Sequence, residues 1–190
     1  MKIGLYFGSF NPIHIGHLII ANHILNYTEL KKIWFVVSPQ NPLKQSHTLL
    51  NEYHRLQLVK LAVEDNPALV ASNVEFNLPK PSYTIDTLTY LKEKYPQNEF
   101  SLIMGSDSFQ NIHKWKNYEN LIENNNLIIY KRPGFDVNDK NQKNTILAEA
   151  PLLEISATYI RNLIKNRKSI RYFVPDKAAE EIENFGYYKK

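Results

Sequence analysis

The stretch Tyr6–Leu25, YFGSFNPIHIGHLIIANHIL, decides the fold. An apolar run ends at Gly8, which predicts a buried strand. After Pro12, apolar residues recur at helical spacing, so the sequence predicts a helix directly after the strand. The junction between strand and helix contains two glycines, a proline and two histidines, His14 and His17. This composition is unusual for a plain connection and indicates a binding site.

Further along the chain, segments typical of strands and of helices alternate. Runs rich in β-branched and apolar residues predict strands at 31–38, 69–76, 99–105, 126–134 and 150–156. Helical periodicity predicts helices at 51–65, 82–96, 157–166 and 176–186, and the polar segment 136–150 is predicted to be a loop. The alternation indicates βαβ units. We therefore predict an α/β fold: a Rossmann-like doubly wound parallel sheet with helices on both faces and a small C-terminal helical part.

Composition limits the function without selecting it. The chain has 190 residues, no cysteine, and a net charge of +4 from 23 Lys and Arg against 19 Asp and Glu. The length predicts one domain over 1–190, with a C-terminal helical subregion at about 156–190. The lack of cysteine excludes disulfides and thiolate metal sites. No segment of the sequence resembles a signal peptide or a membrane span, so we expect a cytoplasmic protein without membrane partners.

The junction after the first strand suits a phosphate. Gly8 permits a tight turn and a close approach of backbone N–H groups to a ligand. The following helix begins with unpaired N–H donors and the positive end of its dipole. His14 and His17 are three residues apart and lie on one side of a first helical turn, where each imidazole can donate a hydrogen bond. Gly16 between them would let a purine lie against the helix backbone.

The same stretch does not match other well-known ligand motifs. Zinc-binding histidines on a helix are usually four residues apart with a glutamate between them. The glycine-rich dinucleotide fingerprint is missing, and so is the Gly-Lys-Ser/Thr ending of a P-loop. A nucleotide phosphate at the end of the first strand is therefore the reading that the residues favour.

Two later strand ends carry compatible groups. Gly105 and Asp107 follow the strand at 99–105, where a carboxylate can accept from ribose hydroxyls or form an N-cap. Near the end, Ser156 and Thr158 fit an N-cap and a first helical turn, and Arg161 lies one turn further on. Those hydroxyls, N–H groups and guanidinium would cradle a polyphosphate. Taken alone, they equally fit a capped surface helix.

Together these segments resemble a known family, the nucleotidylyltransferases. GSFNPIHIGH (8–17) is similar to the family's first motif, G-x-F-x-P-x-H-x-G-H, and ISATYIR (155–161) to its second, I-S-S-T-x-I-R. Within that superfamily the chain most resembles the nicotinate-nucleotide adenylyltransferases. SYTIDTL (82–88) is similar to their pyridine-nucleotide segment, and Trp115 to their stacking aromatic residue. The resemblance covers nearly the whole chain.

The resemblance implies an activity: transfer of AMP from ATP to nicotinate mononucleotide, giving nicotinate adenine dinucleotide and pyrophosphate. It implies catalytic roles for His14, His17, Lys44 and Arg161. It implies that ATP is bound by Gly8, Ser9, Phe10, His14, Gly16, His17, Gly105, Asp107, Ser156, Thr158 and Arg161. It implies that the mononucleotide is bound by Lys44, Tyr83, Thr84, Asp107, Trp115 and Arg132. Mg²⁺ would be held mainly by the ATP phosphates, and the family often forms homo-oligomers.

Other functions stay open at the level of sequence. The same chemistry could act on nicotinamide mononucleotide or phosphopantetheine, and no single residue decides between nicotinate and nicotinamide. A rival of another class is a non-catalytic nucleotide or RNA binder that uses the basic stretch 161–171, with five cations and no acid. RNA-binding modules usually interleave exposed aromatic residues with cations, and this stretch has them only at its flanks. We therefore expect no nucleic-acid partner.

Overall fold

One parallel sheet organises the chain. The computed structural model describes residues 1–40, 49–137, 144–151 and 153–189. Its strands are β1 (Lys2–Gly8), β2 (Lys32–Val37), β3 (Leu69–Ser72), β4 (Glu99–Gly105), β5 (Asn126–Tyr130) and β6 (Thr145–Ala148). They are arranged in the order β3-β2-β1-β4-β5-β6, and each neighbouring pair is parallel. The predicted Rossmann-like parallel sheet is confirmed.

Helices connect the strands and cover both faces of the sheet. They are α1 (Ile15–Tyr27), α2 (Glu52–Val63), α3 (Thr84–Lys94), α4 (Ser106–Gln110), α5 (Tyr118–Glu123), α6 (Ala157–Lys165) and α7 (Asp176–Phe185). Short 3₁₀ turns lie at Val74–Asn77 and Ile112–Lys114. Among the described residues, no helix is both long and apolar enough to cross a bilayer.

The sheet separates two apolar layers. Successive β1 side chains alternate between them: Leu5 packs with residues of α3 and α5, and Tyr6 packs with residues of α1, α2, α6 and α7. This alternation is the two-residue period of a strand buried on both faces. Burial on both sides explains why the strand sequences are continuously apolar.

The sequence-based boundaries were wrong in three places. The strand expected at 126–134 ends at Tyr130. We expected a loop at 136–150 and a strand at 150–156, but β6 is Thr145–Ala148, and 150–151 and 153–156 carry no strand. The apolar segment before Ala148 pairs with β5, whereas Pro151 has no N–H to donate to a sheet. The strand expected at 69–76 ends at Ser72 and continues as a 3₁₀ turn. The N-cap considered at Asp107 lies at Gly105 instead, and Asp107 is the second residue of α4. The sequence did not indicate the short helix α5.

The strand order places a crevice at the centre of the sheet. β1 lies between β2 and β4. The chain adds β2 and β3 on one side of β1 and then β4, β5 and β6 on the other, so the strand order reverses at β1. In open parallel sheets ligands bind outside the carboxyl ends of the strands at such a switch point. The segments after β1 and β4, which carry His14, His17 and Asp107, meet at this edge.

Candidate active site

A cavity of about 470 Å³ opens at the carboxyl ends of the central strands. Most of the residues singled out from the sequence line it: Gly8, Ser9, Phe10, His14, His17, Tyr83, Thr84, Gly105, Asp107, Trp115, Arg132, Ser156, Thr158 and Arg161. A smaller cavity of about 50 Å³ shares the two histidines and adds Gly16. Lys44 lies outside the described residues. The fold thus brings together groups that are up to about 150 positions apart in the sequence.

His14 and His17 form a compact pair at the start of α1. His14 is the N-cap residue and His17 the third residue of the helix, and their ring centroids are 3.7 Å apart. The His14 backbone N–H donates to Nδ1 of His17 at 3.2 Å. Because Nδ1 accepts this bond, a neutral His17 carries its proton on Nε2 and keeps that N–H as a donor. The predicted placement of both rings on one side of the helix is confirmed.

Both imidazoles are neutral near pH 7. Burial, and then the nearby Arg132 guanidinium, lower the pKa of His14 to about 4. Burial also holds the pKa of His17 well below its usual value, with smaller contributions from His14 and Arg132. The pair therefore offers N–H donors to an anion without carrying fixed charge in the free protein.

The loop after β1 is held by aromatic packing. The Phe10 ring lies where a Gly8 side chain would be, since a Cβ there would come within 2.8 Å of the ring. Phe10 has a φ of +44° and is 2% exposed, and its ring contacts the edge of the His17 ring. Gly8 is thus required for this close approach. It ends β1 without a positive φ, and the turn we expected there lies further on, at Asn11 and Pro12, after the left-handed Phe10.

The two sequence motifs meet directly. Nη1 of Arg161 donates to the backbone oxygen of Asn11 at 2.7 Å, and Nη2 donates to the Thr158 hydroxyl at 3.1 Å. Ser156 caps α6 by accepting from the Tyr159 N–H at 3.1 Å. The N–H groups of Ala157 and Thr158, the first two of α6, have no acceptor within the helix. This helix end and the histidine pair border the same cavity, which suits several phosphate groups in a row.

A polar chain crosses the base of the cavity. Tyr6 donates to the Tyr130 hydroxyl at 3.1 Å, and Arg132 donates to the same hydroxyl at 3.2 Å. Nε of Arg132 lies 3.3 Å from Oδ1 of Asp107. Burial raises the pKa of the Tyr6 phenol well above its usual value, so it stays protonated. The chain fixes Arg132 and Asp107 at the ends of β5 and β4.

A second group of predicted residues lies at the amino end of α3. Tyr83 is its N-cap residue and Thr84 its first residue. Trp115 follows a 3₁₀ turn and is partly buried against the apolar layer of α3. Lys116 lies 4.9 Å from the Tyr83 ring centre and pairs with Asp86 at 2.8 Å. Tyr83, Thr84, Trp115 and Lys116 form an aromatic and polar wall of the cavity that the histidine pair and the start of α6 also line.

Arg55 and Glu75 were missed by the sequence reasoning. Arg55 has no exposed surface, and Glu75 is 2% exposed and lines the cavity. Arg55 did leave a signal, because it shares the helical face of the buried residues Leu58, Val59 and Ala62. A charged residue on an otherwise apolar helix face indicates a buried charge with a specific role. Glu75 left none, since it lies in a segment with strand composition.

Comparison with known proteins gives consistent results. A family model described as cytidylyltransferase-like matches residues 5–163. The chain is 51% identical over 193 aligned residues to a Flavobacterium psychrophilum protein named "Probable nicotinate-nucleotide adenylyltransferase", covering 100% of each chain. A protein of the same name from Cytophaga hutchinsonii is 52% identical, with 99% of this chain and 98% of the relative covered.

A solved structure shares the fold. The Plasmodium falciparum nicotinic acid mononucleotide adenylyltransferase, solved in complex with NaAD, superposes with a TM-score of 0.84. The sequence identity is 23%, and the match covers 98% of this chain and 97% of the other. At this identity the likeness speaks for the fold alone.

Proposed function

The chain belongs to the cytidylyltransferase-like family and, within it, to the nicotinate-nucleotide adenylyltransferases, and we propose that the cavity described above is its active site. The enzyme transfers AMP from ATP to nicotinate mononucleotide, giving nicotinate adenine dinucleotide and pyrophosphate in NAD synthesis. The assignment of the site rests on one structural observation: residues of both motifs and Trp115 line the same cavity.

The reaction is a direct displacement at the α-phosphorus of ATP. An oxygen of the mononucleotide phosphate forms the new P–O bond, and the bond to the β-phosphate oxygen breaks, so pyrophosphate leaves with the electron pair. The attacking phosphate is ionised near neutral pH and needs no general base. Alignment and charge stabilisation are then the main tasks of the protein. The cavity matches this requirement, because hydrogen-bond donors and cationic side chains line it. The reaction does not need a nucleophile–base pair.

The triphosphate lies between the two motifs in this proposal. His14 and His17 donate N–H groups to oxygens near the reacting phosphorus. Ser156, Thr158 and Arg161 bind the outer phosphates and stabilise the leaving pyrophosphate. The bond from Arg161 to the loop after β1 supports this arrangement, because it fixes the spacing between the two sets of donors. Preorganised donors cost no reorganisation at the moment of reaction.

In this proposal the adenine ring lies beside α1, against the smaller cavity. That cavity is bordered by the backbone at Gly16, and by Ile20 and Ile155. A Cβ on Gly16 would lie 3.1 Å from Nδ1 of His14, so the absence of a side chain keeps this space open. Flat apolar surfaces with a nearby backbone suit a purine ring.

The mononucleotide occupies the opposite wall. Trp115 supplies a face for the pyridine ring, and Tyr83 and Thr84 border the same region at the amino end of α3. Arg132 and Asp107 lie between the two substrate regions, where they can contact phosphate and ribose groups. Lys44, outside the described residues, is proposed to supply charge between the substrates.

We propose that Mg²⁺ enters with ATP. Within the described residues, no group of three or more His, Asp or Glu side chains is arranged to hold a metal ion. The one carboxylate among the predicted site residues, Asp107, is paired with Arg132. Magnesium often keeps several waters and binds through substrate phosphates. When bound in this way it neutralises phosphate charge, and the protein residues orient the phosphates around it.

The proposed site is tested by two substitutions with opposite signatures. Losing His17 should lower turnover while leaving the mononucleotide KM nearly unchanged, and losing Trp115 should raise that KM. Pyrophosphate release at varied concentrations of each substrate separates the two effects. A homo-oligomer, a cytoplasmic location and the absence of a nucleic-acid partner stay predictions from the sequence.

A further inference from the structure

Arg55 and Glu75 are two buried charged side chains that the chemistry above does not use. Neither forms an ion pair within 4 Å with another described residue. A buried charge is costly unless hydrogen bonds compensate it. The hydrogen-bond partners of each side chain therefore indicate what it does.

Arg55 connects three backbone segments around the cavity. Its Nη1 donates to the carbonyl oxygens of Ser9 and Ser38, at 2.5 and 2.8 Å. Its other nitrogens donate to the carbonyl oxygens of Pro39 and Leu50, at 3.0 and 2.7 Å. Ser9 belongs to the loop after β1, Ser38 and Pro39 follow β2, and Leu50 precedes α2. The planar guanidinium fixes the relative positions of these segments.

Glu75 makes a comparable set of hydrogen bonds at the amino end of α3. Its carboxylate accepts hydrogen bonds from the Ser82 and Thr87 hydroxyls, each at 3.0 Å. Those residues flank the amino end of α3. Burial raises the pKa of Glu75, and the neighbouring Ser38 hydroxyl opposes that rise. Ser38 therefore lies between the two charges: its carbonyl accepts from Arg55, and its hydroxyl is next to Glu75.

We propose that Arg55 and Glu75 are positioning residues that, joined through Ser38, set the spacing between the loop after β1 and the amino end of α3. The inference rests on the proposed function, because these two places bind the two substrates in it. Neither charged group contacts the reacting atoms. The network acts on alignment, and a misplacement of about 1 Å can lower a rate roughly 100-fold.

Thr87 and Thr89 offer a matched pair of variants on the same helix. Both threonine hydroxyls bond to their own helix, Thr87 at the Tyr83 oxygen and Thr89 at the Ile85 oxygen. Thr87 is fully buried and also bonds to Glu75 at 3.0 Å, whereas Thr89 is exposed. Valine preserves the shape of threonine and removes the hydroxyl. We expect T87V to lower kcat about tenfold, with KM for both substrates within about threefold of wild type. T89V should stay within about twofold in every constant, and T87S should restore kcat.

Hydrogen exchange measures positioning without reference to turnover. Peptides that cover residues 82–86 should exchange at least several-fold faster in T87V and in S38A than in wild type. In T89V their exchange rate should equal that of wild type. R55K keeps the charge but cannot reach four carbonyls, so it should also accelerate exchange at residues 8–12. S38A and T87V keep both charges and test the network if R55K does not fold.

The outcomes separate the two claims. Wild-type enzyme that does not release pyrophosphate with nicotinate mononucleotide contradicts the proposed function, and the exchange data still decide the positioning role. Folded T87V and S38A that match wild type in both kcat and exchange overturn the positioning role. So does a loss in T87V that T87S fails to restore.

Discussion

Nη1 of Arg161 donates to the backbone oxygen of Asn11 at 2.7 Å, across 150 positions of sequence. Asn11 lies in the loop after β1, and Arg161 lies in the first turns of α6. The bond joins the two segments that resemble the nucleotidylyltransferase motifs. It joins the two segments that we propose to bind phosphate into one surface of fixed spacing, on which a triphosphate could extend from the histidine pair to α6.

Replacing His17 tests the histidine pair. His17→Ala removes an N–H donor whose orientation is fixed by the His14 backbone. We expect turnover to fall by a factor on the order of 10²–10³, the usual effect of losing one preorganised donor. His113→Ala, at an exposed position, is the control and should match wild type. Near-normal turnover in folded His17→Ala would remove His17 from the mechanism.

Replacing Trp115 should separate binding of the mononucleotide from chemistry. Trp115→Ala removes the stacking face but none of the phosphate donors, so we expect the KM for nicotinate mononucleotide to rise by about tenfold or more. The KM for ATP should change by less than about twofold. If only the ATP constant changed, the placement of the pyridine ring at Trp115 would be wrong.

The histidine pair also predicts how stability depends on pH. A buried histidine with a lowered pKa binds its proton more weakly in the folded than in the unfolded state, so stability is full above pH 6.5 and is lost as pH falls towards the folded value. For His14, with a pKa of about 4, this amounts to roughly 2 kcal/mol between pH 6.5 and 5. Urea unfolding at pH 7.5 and 5.0 should show a smaller pH effect in His14→Asn than in wild type.

The control for the pH experiment is His113→Asn. His113 is exposed, and its replacement should leave the difference between pH 7.5 and 5.0 as large as in wild type. An equal difference in His14→Asn would mean that the imidazole of His14 does not stay neutral in the folded protein.

Gly16→Ala has two opposing effects, because it raises helix propensity and fills space beside His14. Alanine is favoured over glycine within a helix by up to about 1 kcal/mol, so the melting temperature should hold or rise. The new Cβ would lie 3.1 Å from Nδ1 of His14, however, and would narrow the proposed adenine cavity. We expect kcat/KM for ATP to fall about tenfold. Wild-type kinetics would show that the purine does not lie there.

Prediction from the sequence was most successful where the local residue pattern agrees with the overall fold. The junction at 8–17 and the segment at 155–161 carry composition, spacing and periodicity that predict both structure and ligand, and the parallel sheet followed from the alternation of elements. The edge strand β6 was misplaced, because its pairing with β5 depends on tertiary contacts and not on its own composition.

The supporting residues of the site were harder to predict. Arg55 and Glu75 act through buried hydrogen bonds to backbone and hydroxyl groups from distant segments. No local pattern encodes such partners. Phe10 illustrates the same point, since its left-handed backbone and its contact with Gly8 are set by packing against Phe35 and Tyr6. The residues that we propose to bind substrate lie in sequence motifs, whereas Arg55 and Glu75, which we propose to position them, do not.

The most direct test of the central claim is pyrophosphate release with ATP and magnesium, comparing nicotinate mononucleotide with nicotinamide mononucleotide at equal concentration. We predict a strong preference for the nicotinate form. We also predict a loss on the order of 100-fold or more in His17→Ala with that substrate. Equal or reversed use of the two mononucleotides, or no release with either from folded protein that still binds ATP, would contradict this claim.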